Sequence, residues 1–338
     1  MLTQARGQVT VASEWDSDAQ DLTVMVDGAE RRAVNYRSLT GDAGVGDEIL
    51  LNTTGVSLKL GTGGVDFVIA NLTRCPDVSG STDGHIIKGR YLPCQHSVLT
   101  LEEQPSYREV WDRSLDGFPV LVGQLHSQVM PAACGLLERG LRRIAYVMTD
   151  AAALPLAFSK TIRAARSQGI LSASITCGQA FGGDYETVTL YSALLAAKYV
   201  ANADAAIVCQ GPGNAGTGTR YGYSGVEQAA ALDAAARLGA LPIAIVRMSS
   251  GDARARHQGV SHHTQTTLEL TYARCVVPIP SGAPPQDIPN RHDVRIIDGY
   301  GPALDRLRAT GVGVTTMGRN QDQDPLFFAA AACAGLSV

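Results

Sequence analysis

The chain has 338 residues, of which 45% are hydrophobic and 18% are charged, so it can bury a core and is not a disordered chain. Its formal net charge of −4 gives no basic surface for nucleic acid or for an anionic membrane. The first residues do not predict a secretory signal, and no apolar stretch is long enough for a membrane helix. The 7 cysteines are widely spaced without a Cys-x-x-Cys motif, which favours reduced thiols. We therefore expect a cytoplasmic globular protein of about two domains, without a membrane or nucleic-acid partner.

Short runs of alternating apolar and polar residues, which are typical of strands, occupy the first part of the chain. Asp27-Gly28 adds a typical hairpin-turn sequence. Few aromatic residues and the acidic residues that offset Arg31 and Arg32 argue against oligonucleotide binding. Four or five strands in this length predict a small all-β, barrel-like domain over residues 1–75.

From residue 118 onward, apolar strand-like runs alternate with Ala-rich amphipathic stretches, which is typical of a parallel α/β sheet. Eight such runs would also allow a closed (β/α)₈ barrel, but the prolines of the 281–293 connection leave little room for a helix. The pattern therefore predicts an α/β fold with a mostly parallel, doubly wound, Rossmann-like sheet over residues 119–338. Residues 76–118 are predicted to connect it to the first domain. The strand-like runs lie at 120–125, 144–148, 171–176, 205–209, 243–248, 275–279, 294–297 and 312–316.

Most of the chemically useful residues directly follow the predicted strands. In α/β sheets, ligands bind at the carboxyl ends of the strands, so we expect a ligand site along that edge. The first of these segments is GQLHS at residues 123–127, which contains His126.

The segment after the fourth predicted strand, GPGNAGTGTRYGYSG at residues 211–225, is rich in glycine. It has the G-x-G-x-x-G spacing of dinucleotide-binding loops, but no helix begins at once, Pro212 removes a donor, and no acidic residue follows about twenty positions later. The composition favours instead a nest of backbone N–H groups that binds an anion, with an ordered connection as the alternative. The predicted anion-binding residues are Gly211, Gly213, Asn214, Gly216, Thr217, Gly218 and Thr219.

The segment after the fifth predicted strand, residues 249–264, concentrates charged and titratable side chains. Arg254 and Arg256 suit a bidentate grip on phosphate or carboxylate. His257, His263 and Asp252 are candidates for proton transfer, with His126 from the first segment opposite them. Scaffolding of the loop is the alternative function for all of these residues.

A metal site in this segment is the less favoured alternative, and no metal ligand is assigned. His262 and His263 are adjacent, their directions diverge by about 100° on a helix, and no HExxH or Cys/His spacing supports them. We expect His263 to face the cleft while His262 packs against the domain. Asp252 is expected to orient His257.

Four segments of the chain resemble a bacterial family of conserved proteins of unknown function from Gram-positive lineages. The resemblance implies a cytosolic bacterial protein and supplies no reaction, cofactor or catalytic residue. The segments are GHIIKGRYLPCQ at 84–95, GQLHS at 123–127, GPGNAGTGTRYGYSG at 211–225 and RHQGVSHHT at 256–264.

Two functions agree with these patterns. The first is an enzyme that acts on a small anionic or phosphorylated metabolite, because anion-gripping and titratable groups are expected at one edge. The alternative is a non-catalytic sensor or binding protein whose β-domain docks a partner. The reaction, the cofactor and any association of like chains into a homo-oligomer stay open.

Overall fold

A computed structural model describes residues 2–14, 18–60, 64–75, 84–284 and 287–338. Its internal contacts divide the chain into two units, Met1–Val98 and Leu99–Val338. Part of the predicted connecting segment, residues 76–83, and one of the prolines of the 281–293 connection, Pro285, lie outside the described residues. No helix within the described ranges is both long enough and apolar enough to cross a bilayer.

The first unit contains a closed barrel of five strands in the order β1-β2-β3-β5-β4, which confirms the predicted barrel-like domain. Asp27 and Gly28 join β2 to β3 with φ of 49° and 80°, as a tight hairpin turn requires. Alternate side chains of the strands fill the interior, among them Leu22, Val24 and Leu51. The elements of this unit are β1 (Gln4–Glu14), β2 (Ala19–Val26), β3 (Ala29–Tyr36), α1 (Arg37–Thr40), β4 (Glu48–Asn52), α2 (Thr54–Ser57), β5 (Asp66–Asn71), β6 (Ile86–Lys88) and β7 (His96–Val98).

The second unit is built on an open sheet of eight strands, and every neighbouring pair in it is parallel. Its elements are β8 (Pro119–Val122), α3 (Val129–Glu138), β9 (Ile144–Thr149), α4 (Lys160–Ser167), β10 (Ala173–Thr176), β11 (Tyr185–Glu186), α5 (Leu190–Tyr199), β12 (Ala205–Gln210), α6 (Gln228–Arg237), β13 (Leu241–Ala244), β14 (Met248–Ser249), β15 (Gly259–Val260), α7 (His262–Leu270), β16 (Val276–Pro280), β17 (Asp293–Ile297), α8 (Gly301–Ala309) and α9 (Pro325–Leu336). The strand order is β11-β10-β9-β12-β8-β13-β16-β17, while β14 and β15 form a separate two-stranded ladder.

The helices cover both faces of the sheet, which confirms the doubly wound, Rossmann-like α/β fold. Helices α3 and α4, which follow β8 and β9, pack with α8 and α9 on one face. Helices α5, α6 and α7 pack on the other face. The neighbouring strands β8 and β12 are therefore followed by helices on opposite faces. In open α/β sheets a crevice for ligands forms at the carboxyl ends of such a strand pair.

The run at 312–316 is not a strand of the sheet, so that prediction is wrong. Among the described residues its backbone pairs in one isolated bridge, between Thr316 and Arg319. The strand-like alternation has another cause, because Val314 and Thr316 are buried while Gly313 and Thr315 are exposed.

The eighth strand is β11, which lies between the predicted strands at 171–176 and 205–209, where the alternation of strands with Ala-rich amphipathic stretches predicts a helix. The helix begins later, at Leu190, where the side chain of Thr189 accepts a hydrogen bond from the Ser192 N–H as an N-cap. The predicted strand at 243–248 is also shorter, since β13 ends at Ala244 and the chain then leaves the sheet for β14.

Helices α3 and α9 approach each other through glycines. An ideal Cβ at Gly135 would lie 2.2 Å from the carbonyl oxygen of Ala332, and one at Gly335 would lie 2.3 Å from that of Ala132. These distances are far below van der Waals contact, so no side chain fits at either glycine. Because α3 follows the loop after β8, this contact helps to fix the carboxyl edge of the sheet.

We expect Gly135→Ala to destabilise the fold by about 1–3 kcal/mol, the usual effect of overpacking, because the opposing atom belongs to the backbone of α9. Gly301→Ala is the matched control, since an ideal Cβ there meets no atom within 4 Å. Its free energy of unfolding should stay within about 0.5 kcal/mol of the parent. Urea denaturation followed by circular dichroism measures both variants, and equal midpoints would contradict the close helix contact.

Candidate functional site

Three buried glutamines, which we call the glutamine network, tie together the loops at the carboxyl edge: Gln124, Gln210 and Gln228. Gln124 follows β8, and its Nε2 donates to Gln228 Oε1 at 2.9 Å and to Thr267 Oγ1, in α7, at 3.0 Å. Gln210 ends β12 and donates to the Gln124 carbonyl at 2.8 Å. Gln228 begins α6 and donates to carbonyl groups at the end of β8 and just after β13. Hydrogen-bonded amides in a buried setting hold these loops in one arrangement.

The base of the glycine-rich loop is built from Asn214. Its Oδ1 accepts hydrogen bonds from Gln210 Nε2 at 2.8 Å and from Ser224 Oγ at 2.9 Å. Gly211 is buried at the end of the strand, where a Cβ would lie 2.6 Å from a backbone carbonyl, and Gly216 pairs with the far side of the loop. These three predicted anion-binding residues therefore have roles within the loop.

The tip of the same loop is exposed. Gly213 and Gly218 have φ of 103° and 80°, which explains glycine at both positions. Thr217 uses its N–H and its hydroxyl on the Gly222 carbonyl, at 2.7 and 3.0 Å. Gly218 and Thr219 are exposed, and their backbone N–H groups make no hydrogen bond to the described residues, so they are the part of the predicted nest left for a ligand.

The three histidines of the 249–264 segment, which we call the histidine cluster, lie together: His257, His262 and His263. One ring nitrogen from each lies within 4.8 Å of the others. The ring centroids are 4.3 Å apart for the adjacent pair and 5.0 Å apart for the other two pairs. We expected His263 to face the cleft and His262 to pack against the domain because their directions diverge, but the two rings lie next to each other. Their Cα–Cβ bonds diverge at the start of α7, but rotation about χ1 brings the two rings side by side.

Hydrogen bonds and stacking hold the cluster in place. The Ser261 hydroxyl lies 2.7 Å from His257 Nδ1 and accepts the His263 N–H as the N-cap of α7. Arg247 Nη1 donates to His263 Nδ1 at 3.0 Å. The Tyr223 ring, from the end of the glycine-rich loop, stacks on His263 at 3.6 Å, so the loops after β12 and β13 meet here.

The rings of the histidine cluster are uncharged at neutral pH. Burial, reinforced by the charge of Arg247, holds the pKa of His257 and of His263 at about 3. Burial also lowers the pKa of His262, with Arg256 as the next cause. Neutral imidazoles can serve as hydrogen-bond donors, as acceptors or as metal ligands.

Asp252 does not orient His257, contrary to the expectation, because its carboxylate is taken by arginines. Arg254 donates to it through Nε at 2.9 Å and through Nη2 at 2.8 Å, and Arg319 lies 3.3 Å away. The hydrogen bonds from Arg254 hold the pKa of Asp252 well below its usual range. Arg319 also pairs with Asp324 at 3.1 Å. Four arginines lie near the histidine cluster, and two of them, Arg254 and Arg319, are thus neutralised by carboxylates.

Arg247 and Arg256 are the other two. Among the described residues, no carboxylate lies within ion-pair distance of either guanidinium. Arg247 is 7% exposed, and burial lowers its pKa to about 10. Arg256 lies against the tip of the glycine-rich loop, where a Cβ at Gly218 would be 3.8 Å from its Nη1. Sequence reasoning missed Arg247, although one arginine inside the apolar run 243–248 was a usable signal.

His126 belongs to a separate group of side chains. Its Nε2 lies 2.6 Å from Ser159 Oγ, and its Nδ1 lies 3.2 Å from the Tyr146 hydroxyl. Burial lowers its pKa to about 4. Within the described part of the chain no contact joins it to the histidine cluster, so the structure does not bring His126 together with the other predicted catalytic residues.

Glu227 is a titratable residue that sequence reasoning missed. It ends the turn between the glycine-rich loop and α6, and its Oε1 accepts a hydrogen bond from Thr149 Oγ1 at the end of β9. Burial raises its pKa to about 7, with a further contribution from the charge of Asp150. An acidic residue directly after the glycine-rich loop was the available signal.

The fold and these contacts define an α/β protein with a candidate site at its switch point, assembled from the loops after β8, β12 and β13. The chain belongs to the family described as "Protein of unknown function (DUF3866)", which matches residues 32–335. No curated protein and no solved structure matches the chain. This match confirms that the chain belongs to a family of unknown function, as the sequence resemblance implied. The functional interpretation therefore depends on the residues themselves.

Glu227→Gln should weaken the pH dependence of stability. The folded chain holds this proton with a pKa of about 7 against an ordinary 4.5, so the stabilisation is full below the ordinary value and is lost as the pH rises through about 7. Between about pH 5 and about pH 8, the contribution of Glu227 to the free energy of unfolding of the parent should fall by up to about 2 kcal/mol. Urea denaturation at both pH values measures the loss. The exposed Glu109→Gln is the control and should keep the parent's slope, whereas an unchanged slope in Glu227→Gln would contradict the assignment.

Proposed function

We propose that the protein binds a small anionic metabolite, phosphorylated or carboxylated, at the carboxyl edge of the sheet and acts on it as an enzyme. The observation that carries this proposal is the pair Arg247 and Arg256, which flank the histidine cluster without a carboxylate partner among the described residues. Arg247 is buried, and a buried guanidinium without a counter-charge is unfavourable; Arg256 is exposed beside the same loop, and an anion would supply a counter-charge to both. Arginine also matches the geometry of phosphate and carboxylate.

Further donors surround the same place. His263 Nδ1 accepts from Arg247, so the proton of the neutral ring lies on Nε2, which can donate to an anion. The exposed Gly218 lies beside Arg256, and Thr219 follows it in the chain. The start of α7, at His262, adds the positive end of a helix dipole. All of these groups favour a negatively charged ligand.

Catalysis, beyond binding, is supported by Glu227. A carboxyl whose pKa lies near 7 can give and take a proton at neutral pH, and Glu227 contacts Thr149 at the carboxyl end of β9. A non-catalytic sensor is the second candidate, and one observation favours it. Nδ1 is already hydrogen-bonded in both His257 and His263, by Ser261 and Arg247, so neither ring can accept a proton there.

Arg256→Ala should weaken the binding of inorganic phosphate by about 1.5–3 kcal/mol, the range for charge-assisted hydrogen bonds. Isothermal titration calorimetry on the chelator-treated full chain measures the affinity. Arg308→Ala is the matched control, because Arg308 is paired with Asp305 and Asp322. Equal phosphate affinities in Arg256→Ala and the parent would remove Arg256 from the site.

Metabolite capture followed by mass spectrometry tests the enzyme against the sensor. The purified chain is incubated with a metabolite mixture, and the retained compound is then supplied in excess, with and without divalent metal ions. An enzyme converts the compound, and Glu227→Gln should lose conversion while retaining capture. A compound that returns unchanged under both conditions would leave the sensor as the function.

A further inference from the structure

We propose that His257, His262 and His263 form a site for one divalent transition-metal ion, with an open coordination position directed to the anion. The three side chains come from seven residues of chain, in a 3₁₀ turn and the first turn of α7. One nitrogen of each lies within 4.8 Å of the others. Ligand nitrogens around a tetrahedral Zn²⁺ are roughly 3.4 Å apart, given Zn–N bonds of about 2.0–2.1 Å. Small ring rotations are enough to close the remaining gap.

His262 supplies the second observation. Its Nε2 is buried and has no hydrogen-bond partner among the described residues. Such an atom needs a partner, and a metal ion at the centre of the cluster would provide one. Neighbouring groups fit the role of outer partners, because the Ser261 hydroxyl at His257 Nδ1 orients that ring and leaves its Nε2 for a metal.

The arginines decide the chemistry of the ligand that accompanies the ion. Arg247 occupies the Nδ1 lone pair of His263, and its charge opposes a divalent cation. Arg254 opposes it little, because Asp252 neutralises it. An anion on the open coordination position would draw Arg247 toward itself and would free His263 Nδ1 for the metal. Metal and anion should therefore bind together, each raising the affinity of the other.

The metal site does not depend on the proposed function, whereas the coupling between metal and anion does. Three protein ligands with one open position are the arrangement of catalytic metal centres, in which the ion polarises a bound oxygen. The class of ligand is thus an oxyanion that shares an oxygen with the ion. In an enzyme of the proposed kind, the metal ion would act as the electrophile. Neutral histidines alone are weaker electrophiles.

Titration of the chelator-treated full chain with Co²⁺ tests the metal site, in sulfate buffer because this dianion keeps Co²⁺ in solution. We expect one ion per chain by elemental analysis and the visible absorption of four-coordinate Co²⁺. His262→Asn and His257→Asn should each lower the affinity by about 100-fold or more, while the exposed His85→Asn should not change it. Thermal unfolding confirms that the variants are folded. The absence of stoichiometric Co²⁺ and Zn²⁺ binding, or binding that His262→Asn leaves intact, would overturn the site.

Replacing sulfate with chloride tests the coupling. Sulfate should raise the Co²⁺ affinity of the parent by about tenfold. Arg247→Gln should bind Co²⁺ more tightly than the parent in chloride and should lose the sulfate effect. A parent affinity that is equal in both buffers would overturn the coupling. Phosphate binding in the presence of a chelator is measured separately, so a failed metal site and a failed anion site give different results.

Discussion

The glutamine network is the constraint on which the candidate site depends. Parallel strands bring the ends of β8, β12 and β13 to one edge, but the long loops after them could take many arrangements. Gln124 is bonded to α6 and α7 at once, and Gln210 is bonded to the backbone of Gln124. These hydrogen bonds therefore connect the loops after three strands into one arrangement. A buried amide that loses its partner is costly, so the network favours a single geometry over a set of similar ones.

A second constraint is the pairing of charges within that frame. Asp324 is fully buried just before α9, where it accepts hydrogen bonds from the Ser249 hydroxyl at 2.6 Å and from Arg319 at 3.1 Å. Together with Asp252 it neutralises two arginines and fixes the start of the loop after β14. The segment is thus not a uniformly basic surface. Its positive charge is concentrated at Arg247 and Arg256, next to the histidine cluster.

The sequence predicted the fold class and the sheet edge where the loops of the candidate site lie, because both depend on periodicity over many residues. Alternating strands and helices indicate a parallel sheet, and parallel strands have one carboxyl edge. Errors came where a few residues decide the outcome. The two-residue strand β11 is too short to have a period, and the alternation at 312–316 reflects burial in a segment that does not pair with the sheet.

Side-chain partners in the site could not be predicted for a related reason. Helical spacing fixes the Cα–Cβ directions of His262 and His263, but χ1 decides where the rings lie, and tertiary packing selects χ1. Asp252 was expected to reach His257, yet Arg254 is only two residues away and its planar fork fits the carboxylate better. The number of charged groups in the loop was visible in the sequence. Their pairing was not.

Ser261 links the folding of α7 to the assembly of the site. Its N–H donates to the Arg247 carbonyl at 2.9 Å, and its hydroxyl caps the helix through His263 and contacts His257. Thr264 Oγ1 accepts the Arg247 N–H at 3.0 Å, so the first turn of α7 holds this arginine from both sides. The cluster therefore lies at the positive end of the helix dipole with a fixed cation beside it. Such a place disfavours a lone metal ion and favours an anion, which is why we expect an oxyanion to strengthen the binding of a metal here.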